Sequence, residues 1–455
     1  MYKHAVLSEQ NDYFRVQSID ESLTVYAPTL EKLHSMMEEC RIDVLWAMPG
    51  ESFSRTIRAE HFAELTQRGY NVYVPEELRT GKRLYGARIR SLEKRAFNRF
   101  FMFPENREWK VPQYKDKGVW HVEESMDLLR TVYYLEAEYG VLILWSPSHV
   151  GMACLKKVHE DQGVDIRPLP GEQVKEWNGI AKEICNWVAW AREPEQGLKY
   201  IVGYDKNAQF LGSAQSVLLG NGGYRRTRHT ERVGVAQFWH YGNLGYVASS
   251  VVGRGVLPAP IPYGEGWAHV DLISAAMQVG AQFDLLECVY WEESSKYLSR
   301  WSKDMWEHRA HFQQAVAVDN GYANAASTAK MIPNTLVGRL ANASSGVYFH
   351  PDWNRAIVNR ATANQAYSLL HIYREFGIAP CLVSKDAFYI ATNESDPEKA
   401  IPGLLEHRYE QRGYKCVGVC ELTTDIRHAF LRVNERRFGV AGIEGTIGRA
   451  MRDGR

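Results

Sequence analysis

Two aspartates and one helical face in this 455-residue chain have residue types and spacings that could handle phosphate chemistry. The stretch APCLVSKDAFYIATN (379–393) sets a single acid, Asp386, between apolar and aromatic runs that read as two strands, with Ser384-Lys385 as the bend. A carboxylate in that setting is expensive to desolvate unless something pairs with it. A second acid, Asp205, ends the strand LKYIVGYD, with Asn207 two residues on and Phe210 five on. In AKMIPNTLVGRLAN, Lys330, Asn334 and Gly338 recur every four residues, a spacing that puts all three on one helical face. Two carboxylates on neighbouring strands offer hard oxygen ligands suited to Mg²⁺, with phosphates and waters completing the shell. A pair of such ions about 3.5–4 Å apart serves phosphoryl transfer, and a lysine on a facing helix neutralises charge on the phosphates. Taken singly, each residue has a plainer use: Asp205 as a turn or cap residue, Lys330 as a solvated side chain, Phe210 as core. Only the combination points to chemistry.

The composition excludes little by itself. Lys+Arg and Asp+Glu both number 54, so the formal net charge is zero, and a partner of fixed charge has to be argued from local segregation of charge. The 25 Tyr, 13 Trp and 16 Phe suit base stacking and equally suit a large core. The seven cysteines are scattered without a CxxC pair, which fits reduced thiols of a cytoplasmic protein better than disulfides or zinc. The first residues, MYKHAVLSEQNDYF, lack an apolar run of signal-peptide length, and no segment reaches 18 consecutive apolar residues, so no membrane partner is expected.

Elements that could position these residues follow from periodicity. Residues 1–75 alternate: a strand in SLTVYAP, a helix in TLEKLHSMMEEC with Thr29 as N-cap, a strand in IDVLWAMP, a helix in AEHFAELTQRGY and a strand in NVYVP. Next comes the chain's only strongly basic block: Arg79, Lys82, Arg83, Arg88, Arg90, Lys94, Arg95 and Arg99 against one acid, Glu93. It reads as a phosphate-contacting arm or as a solvated amphipathic helix. ESMDLLRTVYYLEAEYGVLI reads as a helix, capped by Gly140, running into a strand; two further helices follow in SPSHVGMACLKKVHED and EQVKEWNGIAKEICNWVAWAR. WAHVDLISAAMQVGA reads as a helix before the strand FDLLECVYW, and residues 292–342 as mainly helical. ATANQAYSLLHIYREFG is a helix; IAPCLVSKDAFYIATN, GYKCVGVCEL and HAFLRVNERRFGVAGI read as antiparallel strands.

In this order the motifs resemble the palm and fingers of family B DNA polymerases, most closely the protein-primed phage and mobile-element branch. DKNAQF matches that family's D-x-N-S-x-Y at Asp205, Asn207 and the aromatic Phe210. KMIPNTLVG matches K-x-x-x-N-S-x-Y-G at Lys330, Asn334, Thr335 and Gly338, with Val337 for the tyrosine. LVSKDAF matches Y-x-D-T-D-S at Asp386, with Ser384 in place of the first acid. The spacings, 330 − 205 = 125 and 386 − 330 = 56, fit such an enzyme. HAFLRVNERRFGVAGI is similar to a K-x-Y segment and its A-G strand, with His428 for the lysine and Phe430 for the tyrosine. A rival first motif at Asp271 has Ala276 where an aromatic belongs and leaves only 330 − 271 = 59 residues for fingers.

The resemblance spans about 195–445 and implies an α/β and α+β multidomain fold. An exonuclease-like (RNase H-like) domain would occupy 1–194, an antiparallel palm 195–295 and 345–400, helical fingers 296–344, and palm end with a vestigial thumb 401–455. It implies template-directed DNA synthesis on a primer-template from dNTPs. Asp205 and Asp386, with the Lys206 backbone carbonyl, would hold two Mg²⁺ (Mn²⁺ substituting). Lys330, Asn334, Gly338, Phe210, Arg300, Lys303 and Arg309 would bind the nucleotide, and the basic block with His428 would bind DNA. A terminal protein or another replication factor is a further implied partner. Residues 1–200 contain no D-x-E pair, so the exonuclease-like domain is expected to lack proofreading. A catalytically silent relative that binds DNA or a replication partner, and an unrelated α/β enzyme with accidental matches, stay open.

Overall fold

In Tyr13–Ser18 every second side chain is buried (Phe14, Val16, Ser18), the period of a strand with one face on a core. The structure, a computed structural model, describes residues 3–10, 13–18, 23–47, 70–72, 99–102, 122–143, 147–185, 189–228, 234–241, 257–262, 264–405, 413–434 and 440–453. They form two compact units, residues 1–163 with 304–336 and residues 164–303 with 337–455.

In the first unit β1 (His4–Gln10), β2 (Tyr13–Ser18) and β3 (Thr24–Ala27) form an antiparallel meander. Helix α1 (Leu30–Glu39) follows, its first turn capped by Thr29, whose Oγ1 accepts from the Lys32 amide at 3.2 Å. Strands β4 (Val44–Ala47), β5 (Tyr70–Val72) and β6 (Arg99–Met102) complete a six-stranded sheet in the order β3-β2-β1-β4-β6-β5, with β1, β4, β6 and β5 mutually parallel. Leu33 and Met37 of α1 pack on Ala5, Leu7 and Val16. Helices α2 (Val122–Tyr139) and α3 (Pro147–Gln162) follow, with Gly140 in the left-handed region (φ 61°) after α2. A buried chain of hydrogen bonds ties β4, β1 and α2: Trp46 Nε1 donates to His4 Nδ1 (3.1 Å), and His4 Nε2 donates to Glu136 (3.0 Å).

The second unit opens with α4 (Gly171–Glu183), β7 (Ala189–Ala191), β8 (Tyr200–Lys206), α5 (Gln209–Ser216), β9 (Leu219–Gly220), β10 (Arg225–Thr227), β11 (Gly234–His240) and β12 (Gly264–His269). Then come α6 (Val270–Gln278), β13 (Phe283–Tyr290) and β14 (Ser294–Ser295). Helices α7 (Ser299–Val318) and α8 (Ala323–Arg339) are shared between the units. The 26-residue α9 (Pro351–Phe376), β15 (Leu382–Ser384), β16 (Ala387–Thr392), α10 (Pro397–Ala400), β17 (Tyr414–Glu421), α11 (Thr424–Asn434) and α12 (Val440–Arg452) finish the chain. The central sheet runs β17-β8-β16-β15-β7, antiparallel throughout; a second has the order β10-β13-β11-β12. One face of the central sheet buries Val202, Tyr204, Val383 and Phe388 against Leu369, Leu370 and Ile372 of α9. The other buries Ile201, Leu382 and Tyr389 against Ile426 and Phe430 of α11 and Ile443 and Ile447 of α12. Each such side chain, fully buried, contributes roughly 1.5–3 kcal/mol.

This is the expected α/β and α+β multidomain class, with local corrections. VLI after α2 forms no strand; residues 141–143 are bend and coil. Helix α4 stops at Glu183, and Ala189–Ala191 is an edge strand instead of helix. Gly264–His269 is strand, and α6 begins at Val270, where His269 Nδ1 caps the Asp271 amide (3.3 Å). The largest correction is HAFLRVNERRFGVAGI. His428 and Phe430 lie on helix α11 and Ala441-Gly442 on helix α12, because Ile426, Ala429 and Phe430, and then Ile443 and Ile447, recur at helical spacing and seat on the sheet. The helix read in AEHFAELTQRGY and the basic residues Arg79, Lys82, Arg83, Arg88, Arg90, Lys94 and Arg95 lie outside the described residues, and Arg99 is described only as the first residue of β6. All seven cysteines are free thiols. No helix among the described residues is long and apolar enough to cross a membrane.

Candidate active site

Strand β8 carries Asp205 next to its last residue, and the register of the sheet decides what surrounds it. Lys415 on β17 and Ala387 on β16 are both directly opposite Asp205, and Ser384 on β15 is opposite Ala387. Directly opposed residues of antiparallel strands project to the same face. The four therefore form one rung, Lys415–Asp205–Ala387–Ser384, on the face that α11 and α12 cover. Asp386 precedes Ala387 in the hairpin turn between β15 and β16. That turn is Lys385-Asp386, one residue later than the Ser384-Lys385 bend expected, because Ser384 and Ala387 pair across it. The Lys206 amide donates to the Asp386 carbonyl at 3.3 Å, so the turn is bonded to the end of β8.

Both flanking backbones are unusual. Among the described residues only Arg41, Ala208 and Lys385 are non-glycine residues with positive φ, and two of these three lie close to the acids in sequence: Ala208, three residues after Asp205, at 48° and Lys385, just before Asp386, at 54°. Left-handed backbone at a side-chain-bearing residue costs about 1–2 kcal/mol. Ala208 turns the chain from β8 into α5, where Gln209 is buried and its Nε2 donates to the Ala361 carbonyl of α9 at 2.6 Å. Phe210 sits half-buried in the first turn of α5.

Charge in the site is uneven. Lys415 Nζ lies 2.6 Å from Asp205 Oδ2, while Asp205 Oδ1 is buried without a hydrogen-bond partner. The Asp386 carboxyl is held above the usual aspartate value of 3.8, first by burial and then by the Asp205 charge, with Lys415 and Lys385 opposing. Tyr389 lies over Gly203, where a Cβ would come 2.7 Å from the ring, and its hydroxyl is pushed up to about 12 by burial, Glu444, Asp205 and Asp386. Ser384 Oγ donates to Glu444 Oε2 at 2.8 Å. An orphaned buried carboxylate oxygen, a second carboxyl strained by the first and an all-oxygen donor set fit a divalent cation of the Mg²⁺ type. Among the described residues no group of three or more His, Cys, Asp or Glu has metal-site geometry. A cation held here would need its remaining ligands from phosphate and water.

The sheet places the turn that carries Asp386 at the end of β8, beside Asp205. Lys330, Asn334 and Gly338 all lie on α8 and are all exposed, one per turn. Lys330 and Asn334 belong to the first unit and Gly338 to the second. On α7, Arg300 and Lys303 are exposed, whereas Arg309 is buried with its guanidinium 5.8 Å from the Trp306 ring. His428 is exposed on α11. Sequence reasoning missed Lys415 and Glu444. Lys415 stands in GYKCVGVCEL, read only as a strand; nothing but the register of that strand against β8 singles it out.

The chain has a DNA-polymerase-like fold, as comparison with solved structures shows. Over 92% of the chain it matches phage phi29 DNA polymerase complexed with primer-template DNA and incoming nucleotides, at TM-score 0.53, 10% identity and 85% of that chain. The binary complex of the same polymerase with primer-template DNA matches at TM-score 0.51 with the same identity and coverage. The family B DNA polymerase of the archaeon Pyrobaculum calidifontis matches at TM-score 0.41 and 11% identity, over 93% of this chain and 59% of that one. No protein-family model and no curated protein matches the chain by sequence. The likeness is one of fold.

Proposed function

We propose that the chain is a template-directed DNA polymerase of family B type, of the protein-primed branch, that adds deoxynucleotides to a primer 3′-hydroxyl without proofreading. The observation that carries the reading is the placing of Asp386 in the β15–β16 turn that is bonded to the end of β8, beside Asp205, whose Oδ1 is buried and unbonded. The solved neighbours of the fold were captured with primer-template DNA and nucleotides, which supports the same partners here.

In this mechanism Asp205 and Asp386, with the Lys206 carbonyl, would hold two Mg²⁺, which when bound would lower the proton affinity of the primer 3′-oxygen and offset charge on the triphosphate. Lys330, with Arg300 and Lys303, would neutralise phosphate charge, whereas Arg309, buried beside Trp306, is left out of that role; Phe210 would lie against the sugar and disfavour a 2′-hydroxyl; Asn334 and Gly338 would let α8 approach the nascent pair. The basic block 79–99 and His428 contact DNA backbone, and a terminal protein or other replication factor is a further partner. The absence of D-x-E from residues 1–200 supports the lack of proofreading.

The Lys415 ammonium on Asp205 favours a second reading, a silent relative that binds primer-template or a replication partner without catalysis. Primer extension with Mg²⁺ or Mn²⁺ decides. Extension by the wild type that is lost in both Asp205→Ala and Asp386→Ala supports the polymerase. A folded wild type that binds DNA and extends nothing supports the silent relative.

A further inference from the structure

Asp205, Ala387 and Ser384 face the same way from three adjacent strands, and Ala387 is the only side chain between the other two along the rung. The face is closed by α11 and α12, anchored through Ile426, Phe430, Ile443 and Ile447. One residue after Ile443, Glu444 reaches the sheet, and its Oε2 accepts from Ser384 Oγ at 2.8 Å. Ser384 is only 7% exposed, so this hydrogen bond to a charged acceptor is made out of water and is of the stronger kind. Tyr389 reports the same proximity: after burial, the groups acting on its hydroxyl are Glu444, Asp205 and Asp386, in that order. Glu444 therefore acts on this face of the sheet through Ser384 and Tyr389, although it sits on the last helix.

We propose that Glu444 is a positioning residue of the candidate active site, holding through Ser384 the hairpin that presents Asp386 and adding a third negative charge behind the two aspartates. It ligates nothing itself. The two-residue turn carries its own strain at Lys385, and the Ser384–Glu444 bond fixes the strand end from which that turn springs. The added negative charge favours a cation on this face of the sheet. The inference rests on the reading of Asp205 and Asp386 as the cation-holding pair.

The test is Mn²⁺ binding by the full chain without DNA or nucleotide, followed by the electron paramagnetic resonance of free Mn²⁺. Glu444→Gln and Glu444→Ala should each weaken Mn²⁺ by about tenfold or more, the size seen for residues that support metal ligands. Ser384→Ala should weaken it less. Melting curves check the fold. Should Glu444→Ala unfold, Glu444→Gln decides, since it keeps the size and a hydrogen-bond acceptor. Affinity of a folded Glu444→Gln within about twofold of wild type overturns the proposal. If Asp205→Ala and Asp386→Ala lose Mn²⁺ while Glu444→Gln keeps it, this inference falls and the metal-pair reading stands. A wild type that binds no Mn²⁺ brings down both.

Discussion

Lys415 Nζ stands 2.6 Å from Asp205 Oδ2, across a directly opposed pair on β17 and β8, and leaves Asp205 Oδ1 buried and unbonded. The protein's own cation thus half-satisfies an acid that the fold has brought beside Asp386. Lys415 and Lys385 offset the two acids only in part, since burial and the Asp205 charge still hold the Asp386 carboxyl above its usual value, and the imbalance remains at Asp205 Oδ1. A polymerase can use that imbalance to draw in a metal; a silent relative can live with it.

The ion pair predicts the behaviour of Lys415→Met. Lys415 is 42% exposed, so solvent screens the pair and its loss should cost only about 1 kcal/mol. The variant should melt lower than wild type in chelator and recover more on adding Mg²⁺, because a bound ion replaces the missing charge. Thermal melts with and without Mg²⁺ check this. Equal response of the two proteins to Mg²⁺ would count against a cation at Asp205.

The Asp386 carboxyl gives a prediction with a definite sign. Its folded-state pKa is raised above 3.8 by burial and by Asp205, so the fold disfavours the charged form. Its contribution to stability is then complete below the unfolded value and is lost as pH rises through the folded one. Asp386→Asn should accordingly melt higher than wild type at neutral pH, with the gap closing toward pH 4, and should extend no primer. A variant less stable than wild type at pH 7 would contradict the burial and repulsion described here. Gain of stability with loss of activity is the usual mark of a strained site.

Much of this site could be read from residue order, and the part that could not has a physical reason. Asp205 at a strand end and Asp386 between two apolar runs are local patterns, as is the four-residue spacing on α8, which the structure leaves exposed along one helix. Lys415 and Glu444 are invisible locally. Lys415 meets Asp205 only because β17 pairs with β8 in one register, and a slip of one residue would send it to the other face. Glu444 meets Ser384 only once α12 docks on the sheet, 60 residues downstream. HAFLRVNERRFGVAGI misled because a short apolar run without strict alternation fits strand or helix; its helical spacing becomes decisive only against Leu382 and Tyr389.

Ala208 and Lys385 predict easy stabilisation. Both hold positive φ with a side chain, Lys385 just before Asp386 and Ala208 three residues after Asp205. Glycine relieves the left-handed strain, partly offset by the freedom it adds to the unfolded chain, for a net gain of about 0.5–1 kcal/mol at each site. Urea midpoints of Ala208→Gly and Lys385→Gly should rise with unchanged slope. A fall at either position would mean that the side chain makes a contact worth more than the strain.

Asn359 of α9 makes the last case, and a large one. It is fully buried; its Oδ1 accepts from the His269 amide at 2.8 Å and its Nδ2 donates to the Cys185 carbonyl at 2.7 Å. One side chain therefore satisfies a donor at the end of β12 and an acceptor just past α4, neither of which has water as an alternative. Asn359→Leu keeps the volume and orphans both groups, so it should cost about 2–4 kcal/mol in denaturant unfolding, each orphan contributing about 1–3. Asn359→Asp should be no milder: its carboxylate still accepts from His269 but turns a negative oxygen toward the Cys185 carbonyl in a site without solvent. If Asn359→Asp proved the gentler change at neutral pH, the bond to Cys185 would not be holding α9 in place. The α9 face that packs beneath Val202 and Phe388, and so beneath the strands of Asp205 and Asp386, would then need another anchor.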